Sequence, residues 1–281
     1  MPSATDLAIG VLRWVEYVGL IYVIGVFVVR RLARNSPRIA WVQPSMHRGL
    51  ALALVGGLGV VLGEAFAAGH SVSGAIGFLS GSPGGWLRIA RVVLEAGALY
   101  TCLSGRPLVA PLTLFAAASL AFVGHAAQSD SPAGAMFADV LHVVSAGAWA
   151  GGILALATLR PPGGWRGEEG RMLLVRFGRV ALIAFAITAM TGVLDATGEL
   201  RDLSDLWTTS YGLVLSAKSV GVLAMLVLSV LAWRRGLALM RFEAGIALMV
   251  LGATALLAAY PLPPVGMSGA AGSALTLVQT P

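Results

Sequence analysis

Eight apolar stretches, each close to the length of a membrane-crossing helix, divide this chain, and its arginines fall mainly between them. A bilayer core takes about 20 apolar residues of helix. Residues 7–29, 49–69, 86–103, 107–124, 137–159, 173–194, 211–233 and 240–260 fit that requirement. Lipid offers no partner for backbone N–H and C=O groups, so only helices and closed barrels cross it. Runs this long and this continuously apolar are helices. The expected fold is therefore all-α: a polytopic membrane helix bundle of about eight transmembrane helices. The third stretch is the weakest, because Arg88, Arg91 and Glu95 fall inside it. Composition agrees, with 57% hydrophobic and 11% charged residues against about 25% charged in a soluble domain. That excludes a water-soluble enzyme. The expected organisation is one transmembrane domain over 1–264 and a loose external tail over 265–281.

The arginines set the orientation. Five lie between the first two stretches (Arg30, Arg31, Arg34, Arg38, Arg48), and Arg106 lies between the third and fourth. Five more surround the fifth-to-sixth connection (Arg160, Arg166, Arg171, Arg176, Arg179), and Arg234, Arg235 and Arg241 lie between the last two. These alternating connections hold 14 of the 19 basic residues, so the positive-inside rule makes them cytoplasmic and both termini external, N-out/C-out. The other connections are Gly- and Ser-rich (70–85), short and polar (126–136) or acidic (195–210). The first stretch reads as a span and not a cleaved signal, since no basic region precedes it and an arginine cluster follows. Arginines placed this way serve topology, so no nucleic acid is expected. The lone Cys102 excludes a disulfide framework and a cysteine zinc site. No phosphate-binding loop or nucleophile elbow is present, so neither nucleotide use nor hydrolase chemistry is expected.

Charged groups inside spans cost of order 3 kcal/mol each on insertion scales, which makes each one a functional candidate. Arg13, Glu16, Glu64, Arg91, Glu95, Asp139, His142 and Lys218 all fall toward the outer half. Spacing offers pairs within one helix, Arg13–Glu16 at i,i+3 and Arg91–Glu95 at i,i+4. Such pairs either fix helix contacts or, with Glu64, Lys218 and Glu243, form a charge network along a transport path. Glu243 also suits a first-turn carboxylate favoured by the helix dipole. Met190, Met225 and Met249 fall mid-membrane, as core filler or as soft donors along a path.

Histidines give the sharper signal. His70 ends the second stretch, His125 ends the fourth, and His142 stands inside the fifth, with Asp139 three residues earlier on the same helical face. Imidazoles with a carboxylate suit Cu(II) or Zn(II), and Met136, with Met267 in the tail, would add thioethers that favour Cu(I). The expected metal site is His142, His125, His70, Asp139 and Met136. His47, in the arginine-rich loop, is read as an ordinary polar residue.

The fifth stretch reads DVLHVVSAGAWAGG, from Asp139 through His142 and Trp149 to Gly151 and Gly152. This resembles the copper-resistance D family of bacterial inner-membrane proteins (CopD/PcoD-like). The likeness continues through Arg176, Phe177, Gly178 and Arg179, then Thr191 and Gly192, the run TTSYG over 208–212, Lys218, Glu243, and the exit at Pro261, Pro263 and Pro264. It covers about residues 137–264. The resemblance implies a multi-pass inner-membrane protein that moves copper from the periplasmic side. His142 would be the motif's ligand and Asp139 its neighbour, with a periplasmic copper-binding protein of the CopC type as candidate partner and membrane lipid as surroundings. Two other readings compete. One is a b-type haem electron carrier with two of the outer histidines as axial ligands. The other is a copper chaperone or assembly factor that holds the ion without translocating it.

Overall fold

The computed structural model describes residues 3–34, 36–123, 132–200, 202–235 and 239–258. All regular structure among them is helical: α1 Ala4–Ala33, α2 Met46–Gly69, α3 Val72–Gly81, α4 Pro83–Leu103, α5 Val109–Ala118, α6 Pro132–Ala146, α7 Gly152–Ala157, α8 Glu168–Glu199, α9 Asp205–Thr208, α10 Ser210–Arg235 and α11 Met240–Leu257. A 3₁₀ turn, Ser119–Phe122, extends α5, and a π-helical turn, Gly147–Gly151, joins α6 to α7.

Local chemistry explains the helix ends. Ser3 and Asp6 form a reciprocal cap at the start of α1: the Asp6 N–H donates to Ser3 Oγ (3.2 Å) and the Ser3 N–H to the Asp6 carboxylate (2.9 Å). α2 stops at His70, whose φ of 53° is left-handed and whose N–H donates to the Phe66 carbonyl at 2.9 Å. Ser82 caps α4 by accepting from the Gly85 N–H at 3.0 Å, with Pro83 in the first turn.

Six helices are long and apolar enough to cross a membrane: Ala4–Ala33, Met46–Gly69, Pro132–Ala157, Glu168–Thr197, Ser210–Leu231 and Met240–Leu257. The third and fourth stretches of the sequence reading differ. α4 carries Arg88, Arg91 and Glu95, and Val109–Phe122 is a shorter apolar helix. The Gly/Ser-rich connection 70–85 is largely the helix α3. Ser71 starts it by accepting from the Gly74 N–H at 3.1 Å, and Ser82 closes it by donating to the Phe78 carbonyl at 2.8 Å. Serine supplies caps as readily as loops, which is why this segment reads as loop in sequence.

α1 is the central post. Leu20–Val26 is buried throughout, and the helix packs against α2, α11, α7 and the π turn. A methyl group on Gly19 would lie 2.4 Å from the Ala53 backbone nitrogen, so α1 and α2 meet backbone to backbone. Lipid tails are as apolar as leucine, so helices in a bilayer associate through such close small-residue contacts. α10, by contrast, presents most of its surface outward and leans chiefly on α11 and α9. The starts of α1 and α6 share one end of the bundle, termed the amino-terminal end. The opposite, arginine end is tied by Arg176, which donates to the Leu32 carbonyl at 3.0 Å, and by an Arg38–Glu168 ion pair at 2.7 Å.

Candidate functional site

The polar residues of α6 and α8 meet along one seam. His142 Nδ1 lies 3.0 Å from Thr191 Oγ1, and one turn further Ser145 Oγ lies 2.8 Å from Thr188 Oγ1. Both threonines donate to their own helix, Thr188 to the Ala184 carbonyl at 2.8 Å and Thr191 to the Ile187 carbonyl at 2.9 Å. The Thr191 hydroxyl also lies 3.1 Å from the Thr188 carbonyl, so it faces two carbonyls and the imidazole. If that hydroxyl donates to a carbonyl, it accepts from His142 Nδ1–H, and Nε2 then carries the lone pair. Gly192 makes room for the ring: a methyl there would stand 3.2 Å from His142 Cε1.

Two charged groups act on this seam. Lys218, from α10, interacts electrostatically with His142, and Asp139, one turn toward the amino-terminal end, interacts with Tyr17 of α1. Met136 lies a further turn along α6 and is half-buried. Met136, Asp139 and His142 thus stand at i, i+3 and i+6, each step about 4.5 Å along the axis. They form a ladder of three different donors.

The π turn anchors the seam. A methyl on Gly151 would fall 1.9 Å from the Ile21 carbonyl oxygen, so this turn touches the α1 backbone directly. The next glycine, Gly152, lies under the Phe177 ring. Trp149 is buried and meets Phe185 edge-on, ring centres 4.8 Å apart at 74°, a favoured aromatic geometry. Widened turns of this kind recur at functional sites. Of the residues that carry the family resemblance, His142, Trp149, Gly152, Phe177, Thr191 and Gly192 lie between this span and α8, and Gly151 faces α1. The run 208–212 does something else. Thr209 Oγ1 accepts from the Gly212 N–H at 2.9 Å, making the corner into α10.

A second polar cluster lies between α1, α2 and α4. Glu64 takes both Arg13 and Arg88 as ion-pair partners, and Arg91 Nε lies 2.7 Å from Glu16 Oε1. The pairing expected within single helices, Arg13–Glu16 and Arg91–Glu95, is therefore replaced by pairing between helices. The cause is that α2 packs on both α1 and α4. A methyl on Gly56 would meet the Glu16 backbone at 2.3 Å, so α1 and α2 lie close enough for their side chains to pair across the contact. Glu95 is left over. It is fully buried, it lies beside the Glu16 carboxyl, and the two share the field of Arg91. Gly57 provides the space its carboxylate occupies, since a methyl there would lie 2.3 Å from Oε2.

The remaining candidates scatter. His70 is exposed at the end of α2, which packs on α1, α3 and α4, whereas α6 packs on α8, α5 and α1. His125, Met267 and the tail 265–281 lie outside the described residues. Met225 is in the core, while Met190 and Met249 are 61% and 67% exposed on the bundle surface. Glu243 is buried and accepts from Ser229 Oγ at 2.6 Å, which binds α11 to α10. Among the described residues no three His, Cys, Asp or Glu side chains gather as a metal-binding group. Ser145 and Thr188 were not singled out from sequence. Their signal was hydroxyls three residues from His142 and from Thr191.

No family model matches this chain, and no solved structure matches it. The chain is 32% identical over 168 residues to the copper transport protein CutJ of Bacillus subtilis (strain 168). That alignment covers 55% of this chain but only 31% of the relative, so the chain corresponds to less than a third of that protein's length.

Proposed function

We propose that this chain is a copper transport protein of the bacterial inner membrane, with no chemical reaction of its own. It receives copper at its amino-terminal end, on the periplasmic side. In this reading α4 and Val109–Phe122 complete a set of eight spans with both termini outside, and the arginine end faces the cytoplasm. The observation that carries the reading is His142. In this reading Thr191 holds Nδ1 and leaves Nε2 to the ion, within a motif that resembles the copper-resistance D family. The similarity to a copper transport protein supports the same assignment. Copper is cargo here. Met136, Asp139 and His142 offer a thioether, a carboxylate and an imidazole in succession, donor types suited to copper in either oxidation state. An ion handed along such a ladder is held briefly at each rung, which is what transport requires. A periplasmic protein of the CopC type is the proposed donor.

The test is copper binding by the purified protein in detergent, for Cu(I) and Cu(II), beside His142→Ala and with an absorption spectrum. One copper per chain, lost in the variant, followed by uptake into liposomes, supports the proposal. Binding without uptake makes the chain a copper holder. A strong Soret band with no copper makes it a haem protein and overturns the reading.

A further inference from the structure

The arginine end contains a cleft that copper transport does not use. Glu168, Arg171, Met172, Val175, Arg176 and Arg179 follow one face of α8, at spacings of three and four residues, and with Arg166 they line an open cavity of about 650 Å³. Glu168 is already paired with Arg38, and Arg176 holds the Leu32 carbonyl. Arg166, Arg171 and Arg179 are exposed, and among the described residues they make no ion pair or side-chain hydrogen bond. The cleft therefore gathers three uncommitted guanidinium groups over an apolar floor of Met172 and Val175.

The length of α8 places this cleft. Thirty-two residues make a helix of about 48 Å, against a hydrocarbon core of about 30 Å. Between Arg179 and Asp195 the helix carries no charge, and its large exposed side chains are Leu182, Ile183, Met190, Val193 and Leu194. That stretch is the lipid-facing part. The charged first turns, 168–179, carry much of the excess and lie at the headgroup level. A guanidinium presents paired N–H donors that match phosphate oxygens, and basic pockets at this level of a membrane protein suit anionic headgroups.

We propose that this cleft binds the phosphate headgroup of an anionic phospholipid, with Arg171 and Arg179 as its main contacts and Met172 and Val175 beneath the glycerol. The site is independent of any copper chemistry. Its test uses the full chain in neutral detergent, incubated with phosphatidylglycerol, phosphatidylcholine or inorganic phosphate, with bound lipid read by native mass spectrometry. Phosphatidylglycerol is retained in preference to phosphatidylcholine. Its occupancy falls about tenfold in an Arg171→Gln/Arg179→Gln double variant, the loss expected when charge-assisted contacts are removed. Arg241→Gln, at the same end but outside the cleft, leaves it unchanged. Equal retention of the two lipids, or unchanged retention in the double variant, overturns the proposal. Displacement of phosphatidylglycerol by equimolar inorganic phosphate assigns the cleft to free phosphate and also overturns it.

Discussion

His142 Nδ1 faces Thr191 Oγ1 at 3.0 Å across the α6–α8 seam, and the threonine's own proton is turned back to the Ile187 carbonyl. In the proposed site the threonine holds Nδ1 and leaves Nε2 to the ion. Thr191→Val, nearly the same shape without the acceptor, is expected to weaken copper binding about 10–100-fold, the usual cost of removing the group that orients a ligand histidine. Thr191→Ser restores most of it. Competition titration with a Cu(I) chelator reads both, and equal affinity in the valine variant would remove Thr191 from the site.

Gly192 admits the imidazole. Gly192→Leu fills the space beside His142 Cε1, where even a methyl group comes within 3.2 Å. It is expected to reduce copper binding strongly in the parent protein and to have no further effect in a His142→Ala background. Additive losses in that double variant would show that the glycine acts elsewhere.

Gly151 carries no ligand, yet its substitution is the more damaging to the fold. A methyl group there would overlap the α1 backbone at 1.9 Å, and Gly151→Ala is expected to cost about 3 kcal/mol or more through overpacking. Gly245→Ala, where nothing lies within 4 Å, is the control and is expected to be neutral. Thermal unfolding in detergent compares them, and similar midpoints would contradict the backbone contact.

The buried carboxylates give a prediction of opposite signs. Arg91→Gln leaves Glu16 and Glu95 facing each other without their shared cation, and is expected to destabilise by about 3–5 kcal/mol. Glu95→Gln replaces the buried carboxyl with an amide that can donate to Glu16. It is expected to be neutral or stabilising by the same measurement. A large loss in Glu95→Gln would mean that the carboxylate has an essential partner, such as a bound cation.

Hydropathy made the six long helices legible, because an apolar window reports burial in lipid without regard to neighbours. It did not reveal α3, whose serines cap a helix where loop chemistry was expected. The ion pairs were misread for a different reason. Spacing along one helix measures only local neighbours, whereas Arg91 of α4 meets Glu16 of α1 because both helices pack on α2. Position along each helix was readable from sequence, but partnership was not. Within the candidate site, Asp139 and His142 could be found by spacing. Thr191 and Gly192 came only through the family likeness, because a hydroxyl and a missing side chain carry no signal until the facing helix is in place.

The widened turn over Gly147–Gly151 has a consequence for angular phase. An inserted residue rotates everything beyond it by about 100° relative to an uninterrupted helix. Before the turn the span lies chiefly on α8, and after it on α1. One continuous helix therefore serves two interfaces whose orientations are set separately. Removing a single residue from the turn would leave composition and hydropathy almost untouched, yet swing the imidazole and the glycine contact out of alignment with each other. For this protein, the length of that segment carries as much information as the identity of its residues.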